Sequence, residues 1–119
     1  MSSEKDLSTF IIEGIQERKG HAITIVDLSH IESATAHQFI IAEGSSNTQV
    51  GAIAESVAEY VRINADVKPY GADGLANAEW VVLDYGDTWV HIFTREARLR
   101  YSLEDLWSDA KITEIPDLD

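Results

Sequence analysis

Cysteine is missing from all 119 residues. Disulfides and thiolate metal sites are therefore excluded, as expected of a protein working in a reducing cytosol. Cations are scarce: nine Lys and Arg stand against 21 Asp and Glu, for a formal net charge of −12. Such a chain repels nucleic acid, because phosphate binding needs clustered cations that release counterions, so no direct DNA binding is expected. It could still reach a charged assembly by docking on a basic protein, where complementary charge speeds the encounter more than it tightens the complex. No apolar run approaches the length of a membrane span. The opening Met1-Ser2-Ser3-Glu4-Lys5-Asp6 lacks the apolar core of a signal peptide and is too short and acidic for an organellar transit peptide. A cytoplasmic location without a membrane partner is the expectation. There is no internal repeat and no low-complexity segment.

What is present suffices for one domain with a modest core, since 45% of the residues are hydrophobic. Leu7, Phe10, Ile11 and Ile15 recur at helical spacing ahead of Gly20, predicting an amphipathic helix over about residues 5–18. Ala22 to Leu28 and Gln38 to Ala42 are apolar, β-branched runs suited to strands covered on both faces. Ser46 can cap a second helix, with Gln49 completing a capping box. Val50, Ile53, Ala54, Val57 and Val61 stripe one side of that helix. Val67 to Tyr70 reads as a short strand that Pro69 would confine to an edge, followed by a loop from Gly71.

The most legible element is a hairpin. Glu79 to Tyr85 and Thr88 to Phe93 flank Gly86-Asp87, a pair suited to a two-residue turn because glycine tolerates positive φ. With Tyr85 opposite Thr88, Val81, Leu83, Val90 and Ile92 form an aliphatic face fit for a core. Trp80, Val82, Asp84, Trp89, His91 and Phe93 form the other, a composition usual for a surface that meets another protein. Thr94 can cap a helix through Arg95 to Tyr101, and Ser102 a further turn ending near Trp107. These elements predict an α/β protein with a single mixed β-sheet in the order αββα(β)ββα. Residues 1–107 make its one domain, and residues 108–119 an acidic, flexible C-terminal tail. Three helices cannot cover both faces of such a sheet, so the Trp80 face is expected to stay open.

Several constellations invite a chemical reading. On the hairpin register Asp84 and His91 are diagonal neighbours within hydrogen-bonding reach, a general-base arrangement. No serine, cysteine or second carboxylate is placed beside them to act as nucleophile, so a polar pair at an interface is the better account. His21, His30 and His37 have no ligand spacing, and neither a metal nor another cofactor is expected. Gly44-Ser45-Ser46, at a strand-to-helix junction, could cradle a phosphate on free N–H groups. It defines the alternative reading, a nucleotide-binding module or degenerate nucleotidyltransferase. No Asp-x-Asp or Asp-x-Glu pair follows it in a strand to hold a divalent ion, and a capping role for Ser46 is more economical. Arg95, Arg98 and Arg100 form the one cationic cluster, consistent with a solvated helix face.

The run Ala78 to Asp87, then Val90-His91-Ile92-Phe93, Arg98, Tyr101-Ser102-Leu103-Glu104 and Leu106-Trp107, resembles the signature of the ribosomal silencing factor (Iojap) family. The resemblance extends from about Leu7 to Trp107, with Trp89 where a branched aliphatic is usual and Ala36-His37 where an aspartate is common. It implies a nucleotidyltransferase-like topology without an active site, and a non-enzymatic protein that binds the large ribosomal subunit through its basic protein L-fourteen. Occupying that site would block the small subunit and repress translation in starved or stationary-phase cells. Arg98 would tie the last helix to the sheet. The docking set expected on these grounds is Trp80, Val82, Asp84, Trp89, His91, Phe93, Tyr101 and Trp107. The same aromatic face could instead pair two copies as a homodimer.

Overall fold

A computed structural model describes residues 6–107 and 109–118. The expected N-terminal start of the first helix at residue 5, the opening hexapeptide up to Lys5, and tail residues 108 and 119 lie outside the described residues. The order is α1 (Leu7–Glu17), β1 (His21–Asp27), β2 (Gln38–Gly44), α2 (Asn47–Ala65), β3 (Gly71–Asp73), β4 (Trp80–Asp84), β5 (Thr88–Thr94), α3 (Arg95–Tyr101), α4 (Leu103–Leu106) and β6 (Lys111–Ile115). The strands form one mixed sheet, ordered β3-β4-β5-β2-β1-β6. β2 and β5 run parallel at its centre, while the other pairs are antiparallel.

One face is roofed by α1 and α2. Asp6 caps α1 by accepting from the Thr9 N–H, and Ser46 caps α2 by accepting from the Gln49 N–H. The stripe Val50, Ile53, Ala54, Val57 and Val61 is buried throughout, against Ile11 and Ile15 of α1 and Ile40, Val81, Leu83, Val90 and Ile92 of the sheet. The two helices touch closely at Gly14, where a Cβ would come within 2.9 Å of the Val57 Cα. The Ser56 hydroxyl donates to the Gly14 carbonyl there, at 2.7 Å.

Two boundaries differ from the sequence reading. The short edge strand is Gly71–Asp73, just beyond Pro69, which cannot supply a ladder N–H. The segment expected to be a flexible tail contains β6, paired antiparallel with β1 from Ile23↔Ile115 to Asp27↔Lys111. Asp117 then accepts from the Ala22 N–H at 3.1 Å and lies 3.3 Å from His21 Nδ1, holding the end of the chain to β1. Four of the five β6 residues are exposed. Little burial means little hydrophobic patterning, and the strand is therefore silent in the sequence.

Candidate docking surface

The hairpin register is the expected one: Trp80 faces Phe93, Val82 faces His91 and Asp84 faces Trp89. Gly86 takes φ +89° at the turn, a conformation glycine adopts without a Cβ penalty. On the face opposite α1 and α2, seven rings run without a break across three strands and the C-terminal helices. Trp107 meets Phe39 edge-on at 6.2 Å, and Phe39 stacks with Trp89 at 6.2 Å and meets His91 edge-on at 4.5 Å. Beyond His91, Trp80 stacks on Phe93 at 5.1 Å and packs against Tyr101 at 4.6 Å.

This face is not bare. Val26, Leu28, Ala36, Phe39, Ile41, Phe93, Ala97 and Leu103 bury one another in a second core, under α3, α4 and the segment between β1 and β2. Phe93 is fully buried and His91 is 4% exposed, so neither can touch a partner in this conformation. The expected docking set is corrected accordingly. Trp80, Val82, Asp84, Trp89 and Trp107 are half-buried, and Tyr101 is 44% exposed. The open part of the face is its β3–β4 margin, where Asp73 lies opposite Val82 and Gly71 opposite Asp84. Tyr70, 84% exposed, lies beside the Gly86 turn. Sequence reasoning assigned no contact role to Tyr70 or Asp73. The alternation that found the hairpin stops short of so brief an edge strand.

The Asp84–His91 pair does not form. Asp84 Oδ1 accepts from the Gly86 N–H at 2.7 Å, the local bond by which aspartate stabilises a turn. His91 Nδ1 instead lies 3.0 Å from Trp80 Nε1. An indole nitrogen only donates, so Nδ1 must be the acceptor and the imidazole carries its proton on Nε2. Nε2 has no hydrogen-bond partner among the described residues. Burial disfavours the charged form and pulls the His91 pKa down to about 4. A neutral imidazole locked to an indole is no general base. The second indole is also satisfied internally, with Trp89 Nε1–H donating to the Gly86 carbonyl at 3.1 Å. Both hairpin tryptophans thus spend their polar edge within the domain.

Two neighbouring features complete the frame. The Arg98 side chain, 11% exposed, donates to the Ala22 carbonyl at 2.7 Å, Thr24 Oγ1 at 3.0 Å, Glu43 at 3.3 Å and Glu104 at 2.6 Å. It joins α3 to β1, β2 and α4. Arg95 and Arg100 lie on exposed positions, facing Glu43 and Glu79. At the Gly44-Ser45 junction the Ser45 N–H and hydroxyl both donate to Gln49 Oε1, at 2.6 and 2.9 Å. The Gln49 side chain thus closes the capping box one residue early. Ser102 differs from its expected role: it takes φ +45° and donates its hydroxyl back to the Leu99 carbonyl, without capping α4.

The family model described as "Ribosomal silencing factor during starvation" matches residues 1–119. The chain belongs to the ribosomal silencing factor family. Among named ribosomal silencing factors, that of Chromobacterium violaceum is 36% identical over 107 residues, covering 90% of this chain and 86% of its own. That of Bacillus subtilis is 30% identical over 113 residues, covering 95% and 94%. The chloroplastic Iojap protein of Arabidopsis thaliana is 34% identical over 84 residues, 66% of this chain but 32% of that longer protein. A crystal structure from Chromobacterium violaceum superposes with a TM-score of 0.81 at 35% identity, covering 86% of this chain and 83% of that one. One from Bacillus halodurans gives 0.78 at 27%, covering 92% and 97%. The mixed α/β sheet is thus the fold of the silencing factor family, and among the described residues no helix is long and apolar enough to cross a membrane.

Proposed function

We propose that this protein binds the large ribosomal subunit through its basic protein L-fourteen and, by standing in the way of the small subunit, represses translation in starved or resting cells. It makes and breaks no bond. Membership of the silencing factor family supports the ribosome as target. The observation that carries the choice of surface is the ridge of half-buried Trp80, Trp89 and Trp107 with exposed Tyr101, beside Val82 and Asp84. Tryptophan and tyrosine at such sites are enriched among residues whose truncation costs about 2 kcal/mol or more of binding. The surrounding carboxylates of Asp73, Asp84, Asp87 and Glu79 suit a basic protein, in a chain of net charge −12. A standard interface needs roughly 800 Å² from each partner, within reach of one face of this domain.

The test is co-sedimentation with purified large subunits. Trp89→Ala and Val82→Arg should each leave the circular dichroism spectrum unchanged and remove the protein from the large-subunit fraction. Retained binding by both folded variants would move the docking site elsewhere. Wild-type protein that binds yet lets subunits join would refute the steric mechanism. Light scattering at varied concentration shows whether the same face also pairs two copies.

A further inference from the structure

His91 is a buried polar group that the docking reading leaves unused. Its Nδ1 receives the Trp80 indole N–H at 3.0 Å, and its ring is walled in by Phe39 and Phe93. Trp80 is held by contacts of two kinds. Phe93 stacks on the indole and Tyr101 packs against it at a tilt, and neither ring contact engages the N–H. The bond to His91 is the directional one, and it sets which edge of the ring faces inward. Trp89 is tied independently, to the turn carbonyl of Gly86.

We propose that His91 is a positioning residue for partner binding, acting through Trp80: it draws the indole N–H into the domain so that the ridge presents a carbon edge to its partner in one fixed orientation. The inference rests on the docking reading above. Without the acceptor, a half-buried N–H must find water or stay unsatisfied, and the indole turns to expose it. A partner matched to the apolar edge then meets a polar group, and the ordering of the ring must be supplied on binding.

The experiment compares three variants by affinity for purified large subunits and by the indole Nε1–H resonances of ¹⁵N-labelled protein. His91→Leu removes the acceptor. His91→Asn restores an oxygen near the Nδ1 position, and His91→Gln puts it near Nε2, away from Trp80. Leu and Gln are expected to weaken binding by roughly ten-fold or more and to shift the Trp80 resonance while leaving that of Trp89 in place. Asn should restore both readouts. If Leu fails to fold, the Asn–Gln comparison, with two polar side chains, carries the test. Equal affinity of Asn and Gln variants, or a shifted Trp80 resonance with unchanged affinity, would overturn the proposal. Trp80→Ala and Trp89→Ala measured alongside keep the two claims apart. If these bind normally the docking reading fails, whereas if they are defective and the His91 variants are not, only the positioning role fails.

Discussion

Acid should strip stability from this domain through His91 before most carboxylates titrate. The imidazole is 4% exposed, and burial lowers its pKa from 6.5 to about 4. In the unfolded chain it binds a proton at the ordinary value, so the unfolded state holds more protons throughout the interval between the two. Stability is therefore fully present above about pH 6.5 and falls as the pH drops toward 4. Linkage gives a loss of about 2 kcal/mol by pH 5 and about 3 kcal/mol by pH 4. The bond to Trp80 works in the same direction, because an imidazolium has no lone pair with which to accept the indole N–H. Urea unfolding, followed by tryptophan fluorescence at pH 7 and pH 5, measures the effect. With a slope typical of small domains, 2 kcal/mol moves the midpoint by roughly 1 M. His91→Asn, which has nothing to titrate, isolates the contribution: its midpoint should move much less over the same range. Equal pH dependence in wild type and variant would show that His91 is not held neutral by the fold.

Two further perturbations probe the frame around the ridge. Arg98→Met leaves Glu43 and Glu104, with side chains 13% and 26% exposed, facing each other's charge with the exposed Arg95, 3.5 Å from Glu43, as the remaining cation. Breaking so sheltered a cluster should cost about 2–4 kcal/mol in urea unfolding, and less once Glu104→Gln is added. Strictly additive losses would mean that the three groups do not act together. A chain ending at Ala110 uncovers the β1 edge that Lys111–Ile115 pairs. Unpaired edges template association, so its light-scattering mass should rise more steeply with concentration than the full chain's. An unchanged mass would show that the edge needs no cover.

Much of the scaffold was legible because its patterns are strong. The hairpin register follows from one two-residue turn and strict alternation, and every residue of the α2 stripe is buried as the 3.6-residue period requires. What was not legible depends on contacts between segments far apart in sequence. The aliphatic side of the hairpin reads as core, which makes its aromatic side look surplus. The sheet is cored on both faces, however, because Ala97 and Leu103 of the last helices and Leu28 and Ala36 of the β1–β2 segment converge on Phe39 and Phe93. None of these is remarkable alone. The Asp84–His91 pairing failed for a related reason: adjacency on a strand does not say which of several nearby donors a side chain chooses. Asp84 took the closest one, in its own turn.

The half-roofed face bears directly on how such a small domain could bind tightly. A bare aromatic surface would be adhesive in the free protein and would invite self-association. A fully covered one would have to unfold before use. Here the rings of Trp80 and Trp89 are anchored at their polar edges and packed on buried Phe93 and Phe39, while the β3–β4 margin beside them stays open. Anchoring removes most of the rotamer freedom that binding would otherwise have to freeze, about 0.5–1.5 kcal/mol for each large side chain. If the ridge docks as proposed, the second core serves it: by fixing the inner edges, it leaves the outer edges ready in shape before any partner arrives.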